Sequence, residues 1–190
     1  MNLEFNYQNF KNVAGCDEAG RGCLAGPVVA AAVILGKPIA ELNDSKKLRE
    51  IDRNRLSKII KETAIAYSIA FVDEKRIDEI NILNASIEAM HLALNCISAS
   101  IDIILIDGNR FKPYKNIASE TIIKGDQKYQ CIAAASILAK TARDEWMRKA
   151  ALIFPNYGWT HNFGYPTKYH RAAIAGLGAC ELHRKSFKLL

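Results

Sequence analysis

Asp17 and Glu18 stand side by side in Cys16-Asp17-Glu18-Ala19-Gly20-Arg21-Gly22, between apolar runs and immediately before a short cationic glycine loop. Paired carboxylates can hold Mg²⁺ through hard oxygen ligands. Glycine backbone can approach a phosphodiester closely, and the Arg21 guanidinium offers its oxygens a planar fork. The chemistry suggested is phosphate chemistry with a metal ion; the plain alternative is an exposed Asp-Glu pair ending a strand at an ordinary glycine turn. Two more aspartates share the placement. Asp107 ends the apolar run 101–107 and precedes Gly108, and Asp126 follows the run 119–124 between Lys124 and Lys128. Each alone reads as a turn or cap residue. With Asp17 and Glu18 they make four carboxylates at strand ends that one sheet can gather, and like charges at close range call for a cation.

The elements that must position them are legible as short apolar runs rich in Val, Ile and Ala at about 12–17, 28–35, 65–72, 102–107 and 119–124, which predict five strands. Between the second and third, Asp44-Ser45 offers an N-cap, and Leu48, Ile51, Leu56, Ile59 and Ile60 fall mostly on one face of a helix ending near Glu62. Further helices are expected over about 83–98, 129–154 and 167–176; in the second of these, Ala133–Ala135, Ile137, Leu138, Met147 and Leu152 supply helix formers and apolar contacts. This order predicts an α/β fold with a five-stranded mixed sheet, an antiparallel meander extended by parallel strands and flanked by helices. No linker, repeat or low-complexity segment interrupts it, so a single domain over 1–190 is expected, with a C-terminal helical portion over about 150–190. A dinucleotide fold does not fit, because Gly20, Gly22 and Gly26 are spaced GxGxxxG and lead through Pro27 into a strand.

Composition narrows the partners. The 190 residues carry a formal net charge of +6, and residues 141–190 hold eight basic against three acidic residues. Trp159, Phe163, Tyr165 and Tyr169 are interleaved there with His161, Lys168, His170 and Arg171, which predicts a polyanion-facing surface with aromatic platforms, against a solvated basic face as the alternative. Five scattered cysteines, Cys16, Cys23, Cys96, Cys131 and Cys180, form no CxxC pair and predict reduced, mostly buried thiols. No apolar run is long enough for a membrane helix, the N-terminus has no secretory pattern, and a cytoplasmic protein is expected. His91 reads as structural, and Asp144 as organising its helix around Arg143 instead of binding metal.

Several segments together resemble bacterial ribonuclease HII: Asp17–Gly22, Asp44-Ser45-Lys46-Lys47-Leu48, Asp107-Gly108, Lys124–Lys128, Ala133–Lys140, Gly164-Tyr165-Pro166-Thr167-Lys168 and His183-Arg184-Lys185-Ser186-Phe187. They occur in order from about residue 13 to 187. The resemblance implies a ribonuclease H-like fold and an endonuclease that hydrolyses the RNA strand of RNA/DNA hybrids. It also implies cutting 5′ of single ribonucleotides embedded in duplex DNA, leaving 3′-hydroxyl and 5′-phosphate ends. By the same resemblance Asp17, Glu18, Asp107 and Asp126 are catalytic metal ligands for two Mg²⁺ or Mn²⁺ ions. A pair of ions about 3.5–4 Å apart can serve the attacking water and the leaving oxygen on opposite sides of the phosphorus. Gly20, Arg21 and Gly22 correspond to a loop that senses the ribose 2′-hydroxyl, Lys46 and Lys47 to phosphate contacts, and Tyr165 to an aromatic residue packed beside the following sugar. A monomer acting on hybrid and ribonucleotide-containing duplex is implied, and no membrane. The Gly-Arg-Gly loop and the lack of an N-terminal extension argue against ribonuclease HIII. Two departures stand out: Thr160-His161-Asn162-Phe163 is less basic than the family pattern, and the chain ends at Leu190, so a longer tail with a partner-binding motif is not expected.

Two other classes compete. A catalytically silent hybrid-binding module would use the basic surface alone, and the four carboxylates argue against it. A nucleotide-dependent phosphoryl transferase would need a phosphate loop, and no GxxxxGK[ST] occurs.

Overall fold

The computed structural model describes residues 3–43, 45 and 48–190, so Asp44, Lys46 and Lys47 lie outside the described residues. Five strands form one sheet in the order β3-β2-β1-β4-β5: β1 (Val13–Ala19), β2 (Val28–Leu35), β3 (Ala64–Val72), β4 (Ile103–Asp107) and β5 (Ala118–Ile122). Strands β1, β2 and β3 pair antiparallel, while β4 joins β1 and β5 joins β4 in parallel. This is the mixed meander-plus-parallel sheet expected from the strand order.

Strand β2 is buried along its whole length, as a strand covered on both faces must be. Its period of two splits the core. Val28, Ala30, Ala32 and Ile34 pack with Ala14, Cys16 and residues such as Ala89 and Met90 of α2 (Glu74–Asn95). Ala31, Val33 and Leu35 pack on the other side against Leu56 and Ile60 of α1 (Glu50–Thr63) and Ala133–Ala135 of α3 (Gln130–Ile153). Small residues let α3 come close: a Cβ on Gly15 would meet the Cys131 carbonyl carbon at 2.2 Å. Burying each of the larger side chains in these layers contributes roughly 1.5–3 kcal/mol.

The helices depart from expectation in four places. Helix α1 begins at Glu50, with no side-chain cap at Arg49, and Ser45 instead pairs its hydroxyl with that of Ser136 at 2.8 Å. Ile51 points to solvent, 72% exposed, so the buried face of α1 is carried by Leu56 and Ile60. Helix α2 is two helices joined at Asn81, whose φ 66° and ψ 164° are not helical: the second starts near the expected Leu83, with Asn81 accepting the Asn84 N–H at 3.1 Å, and an unexpected first one begins at Glu74, where Asp73 caps the Arg76 N–H. Its first turns are polar, which hid them from a search for apolar periodicity. Leu152, expected as an apolar contact on α3, is 83% exposed.

The C-terminal segment carries α4 (Trp159–Asn162) and α5 (Lys168–Leu177), the latter capped by Thr167, whose hydroxyl accepts from the His170 N–H. These pack with Leu24, Ala25 and Met147 into a separate apolar cluster around Trp159. Trp159 and His170 are fully buried there, so neither belongs to the expected exposed aromatic and basic surface; Tyr165 and Tyr169 remain exposed. Charge patterning could not distinguish them, because an indole that hydrogen-bonds an imidazole can be buried whole. All five cysteines are free; Cys16, Cys23 and Cys131 are buried, Cys180 is partly buried, and Cys96 is exposed. Among the described residues no helix is long and apolar enough to cross a membrane.

Candidate active site

The parallel register pairs Cys16 of β1 with Ile106 of β4, so the next residues, Asp17 and Asp107, stand beside each other at the carboxyl ends of adjacent strands. Alternation along β1 sends Ala14 and Cys16 into the α2 layer and turns Gly15 and Asp17 toward α3. Asp17 is 4% exposed and accepts the Glu18 backbone N–H at 2.7 Å. Burial raises its carboxyl well above the usual range; Glu18 and Asp107 raise it further, and hydrogen bonding from Ser136 works in the opposite direction.

Asp126 reaches the site by a different route. After β5 the chain passes Lys124 in the left-handed region, φ 56°, into a single 3₁₀ turn over Gly125–Gln127. The Gly125 N–H donates to Asp107 Oδ1 at 2.7 Å, which draws the turn against the end of β4. A Cβ there would come within 2.5 Å of Ile132 Cδ1, so any larger residue must displace the end of that buried side chain. Asp126 itself is buried.

Among the described residues neither Asp17 nor Asp107 has an ion-pair partner; Glu18 pairs with Arg21 at 3.2 Å. Among the described residues no three His, Cys, Asp or Glu side chains stand together closely enough to hold a metal ion. A hard, oxygen-only donor set crowded with like charge but left open fits Mg²⁺ or Mn²⁺. Mg²⁺ in particular retains waters and takes only part of its coordination from protein carboxylates, the remainder coming from substrate phosphate.

Beside these carboxylates lies a cavity of about 200 Å³ lined by Glu18, the loop Gly20, Arg21 and Gly22, Ser136, Lys140 and Tyr165. Two buried arginines shape its loop. Arg143 of α3 donates to the carbonyls of Pro27 (2.9 Å), Ala25 (3.0 Å) and Phe163 (2.8 Å). Arg184 donates to those of Gly26 (2.9 Å) and Arg21 (3.1 Å). Burial, with Arg143 nearby, lowers the Arg184 guanidinium to about 10. Gly20 has φ 98°, and a Cβ on it would stand 2.0 Å from Arg143 Nε, whereas one on Gly22 would meet nothing within 4 Å. The two glycines therefore differ in kind: Gly20 is required by packing, Gly22 leaves space open.

Tyr165 closes the far side of this cavity. Its hydroxyl bonds the Cys23 side chain, and Lys140 Nζ lies 5.7 Å from its ring centre. The structure thus brings Glu18, Gly20, Arg21, Gly22 and Tyr165 to one cavity; Asp17 and Asp107 stand at adjacent strand ends and Asp126 in the turn bonded to Asp107, none of the three lining that cavity, while Lys46 and Lys47 fall outside the described residues. The sequence reading missed Ser136, Lys140, Arg143 and Arg184. The first three recur on α3 with Asp144 at spacings of three and four in an otherwise Ala- and Ile-rich helix, a periodic polar stripe that marks a face turned to a site. Asp144 does not organise α3 around Arg143: it pairs with Lys140 at 2.6 Å and with Arg53 of α1 at 3.4 Å. His91 is structural, as expected, its Nε2 hydrogen-bonded to the Lys112 carbonyl oxygen at 3.1 Å and its ring edge-on to Phe111.

Comparison with known proteins agrees with this architecture. The family model for ribonuclease HII matches residues 14–190. The chain is 62% identical to the ribonuclease HII of Christiangramia forsetii, with 97% of this chain and 95% of that protein covered. It is 57% identical to that of Bacteroides fragilis, over 93% and 89% of the two chains. The crystal structure of ribonuclease H2 from Pyrococcus horikoshii OT3 superposes with a TM-score of 0.79 at 26% identity, covering 94% of each chain. Bst ribonuclease HIII in complex with Mn²⁺ shares the fold at TM-score 0.72 and 19% identity, covering 94% of this chain and 67% of its own. The chain belongs to the ribonuclease HII family, metal-dependent endoribonucleases of the ribonuclease H class that act on RNA/DNA hybrids.

Proposed function

We propose that this chain cuts the RNA strand of RNA/DNA hybrids and also cuts 5′ of a single ribonucleotide embedded in duplex DNA, leaving 3′-hydroxyl and 5′-phosphate ends. The observation that carries the reading is the shared cavity, in which the Gly20–Gly22 loop and Tyr165 face each other beside the carboxylates. Asp17, Glu18, Asp107 and Asp126 would hold two Mg²⁺ or Mn²⁺ ions, whose chemistry when bound is to activate water and stabilise the leaving oxygen.

The chain's own residues do the rest. Arg21, tethered to Glu18 and held through its carbonyl by Arg184, keeps the glycine loop in one conformation. Backbone groups of Gly20 and Gly22 read the ribose 2′-hydroxyl, and the Tyr165 ring packs on the next deoxyribose. A site built to hydrogen-bond that hydroxyl is left with unpaired polar groups when the hydroxyl is missing, which sets RNA apart from DNA. Lys140, anchored by Asp144, adds positive charge to the wall facing the phosphates.

The test is a duplex carrying one ribonucleotide, incubated with Mg²⁺, with Mn²⁺ and with chelator, and mapped at nucleotide resolution. The reading expects one cut, 5′ of the ribonucleotide, that needs the metal and is absent from all-DNA duplex. Cutting 3′ of that residue, or equal cutting of its 2′-deoxy counterpart, overturns the reading of the loop. Binding without cleavage under any metal points instead to a silent hybrid-binding module.

A further inference from the structure

Two buried histidines that the reaction does not use lie directly behind Tyr165. His170 of α5 and His183 of the C-terminal segment are both fully buried, and their Nε2 atoms are 3.2 Å apart. Their partners define every proton. His170 Nδ1 lies 2.9 Å from the Tyr165 carbonyl oxygen, which can only accept, so Nδ1 carries the hydrogen. His170 Nε2 accepts from the Trp159 indole N–H at 3.0 Å, so Nε2 is bare. His183 Nδ1 accepts the Cys180 backbone N–H at 3.0 Å, with the Cys180 Sγ also 3.2 Å away, so its hydrogen is on Nε2, and the single lone pair of His170 Nε2 is shared between the Trp159 and His183 donors. A continuous chain results: Cys180 N–H to His183, His183 to His170, His170 to the Tyr165 carbonyl. It is complete only when both rings are neutral, because an added proton would set donor against donor at His170 Nε2 or at His183 Nδ1.

The Tyr165 carbonyl accepts a second bond from the Thr167 N–H at 2.8 Å, and the Tyr165 N–H donates to the Asn162 carbonyl at 2.8 Å. The turn is thus tied at both peptide groups of the residue that carries the exposed phenol. Of these ties, the bond from His170 is the one supplied by a side chain of a neighbouring element, and it connects the turn to the C-terminal segment.

We propose that His170 and His183 are positioning residues for Tyr165, a relay of two neutral imidazoles that fixes its backbone carbonyl and so sets where its ring stands against the sugar. The inference deepens the reading above and rests on it, since the position of the ring matters only if Tyr165 packs on substrate. Neutrality of the pair agrees with its surroundings: burial pulls both rings below the ordinary histidine range, and for His183 the neighbouring His170 helps bring it to about 4. Misplacement of a substrate-positioning group by about 1 Å can cost on the order of a hundredfold in rate, so a small shift of the turn is measurable.

Two substitutions separate positioning from packing. In His170→Asn the amide nitrogen occupies the place of Nδ1 and can still donate to the Tyr165 carbonyl; in His170→Gln the polar group moves out to the place of Nε2 and that bond is lost. The readout is the kcat/KM ratio between a single-ribonucleotide duplex and an RNA/DNA hybrid, measured for wild type, H170N, H170Q, Y165A and H170Q/Y165A. H170Q is expected to lower the ratio about tenfold, H170N to retain most of it, and the double variant to match Y165A alone, since two residues acting through one ring are not additive. Equal loss in H170N and H170Q, or additive effects in the double variant, overturns the positioning role. If Y165A itself leaves the ratio unchanged, the substrate role of Tyr165 falls and the relay's effect on specificity falls with it. If Y165A lowers the ratio while folded H170Q does not, only the relay falls. Should the variants fail to fold, ¹⁵N NMR of the imidazoles in wild type still decides. At neutral pH the proposal requires His170 protonated on Nδ1 and His183 on Nε2, and a charged ring or a reversed tautomer in either overturns it.

Discussion

The Leu24 N–H donates to the Gly164 carbonyl at 2.8 Å and thereby joins the loop after the first carboxylates to the turn that carries Tyr165. Gly164 makes the approach possible: its φ is 81°, and a Cβ there would lie 2.7 Å from the Ala25 carbonyl oxygen. Arg143 reinforces the junction by bonding carbonyls on both sides of it, Ala25 and Pro27 on one and Phe163 on the other. The glycine loop and Tyr165 are therefore tied together at the carboxyl end of the central strand β1.

Replacing Asp17 with Asn should reduce cleavage to below about a tenth of wild type, because losing a metal ligand removes several kcal/mol of transition-state stabilisation. Hybrid binding should persist, and the folded protein should be no less stable, since the variant removes a buried charge crowded by Glu18 and Asp107. Single-turnover cleavage, gel shift and thermal melting on the same preparation check all three. Asp126→Asn should show the same split between cleavage and binding.

Gly20→Ala and Gly22→Ala should part company in stability. The first forces a Cβ into Arg143 at a left-handed φ and should destabilise by about 1–3 kcal/mol, while the second, with open space around it, should melt within about 0.5 kcal/mol of wild type. Urea denaturation midpoints decide; equal loss in both would show that the loop is not anchored by Arg143.

Stability should fall on acidification through the His170–His183 pair. Both rings titrate below their ordinary 6.5 in the folded state, His183 at about 4, so between these values the unfolded chain binds more protons than the folded one. The contribution is intact above about pH 6.5 and is lost as pH falls toward about 4. Arg171 disfavours a charge on His170 further, and the backbone carbonyls of Tyr165 and Gly164 oppose that shift. The drop in urea midpoint between about pH 7.5 and pH 5 should shrink in His183→Asn, which cannot take up the proton. An unchanged drop would mean that the pair is already charged when folded.

Substrate affinity should weaken steeply with salt, with little dependence on base sequence, because cationic side chains release counterions from the duplex. Exposed Lys168, Lys185 and Lys188 supply the charge. Fluorescence anisotropy from low to moderate salt measures it, and a constant Kd would contradict an electrostatic interface.

What the amino-acid sequence determined by itself was local and periodic. Apolar runs bounded by charge or glycine marked all five strands, and a carboxylate at the end of a strand is visible wherever such a run stops at Asp107. The Asp17–Gly22 segment suggested phosphate chemistry from residue types, beside the plain reading of a strand ending at a glycine turn. Three things were decided only by the tertiary structure. The parallel register of β1 and β4 made Asp17 and Asp107 neighbours, and no local signal encodes which strand lies beside which. A polar helical stretch from Glu74 to the break at Asn81 formed ahead of the expected helix, where the Asp73 cap outweighed the lack of apolar spacing. Trp159 and His170, which read as part of a polyanion-facing surface along the chain, went inside together with His183, Arg143 and Arg184, because most of their polar groups are met by one another and by backbone carbonyls from distant segments. Whether a polar side chain can be buried depends on partners that only the folded chain brings within reach.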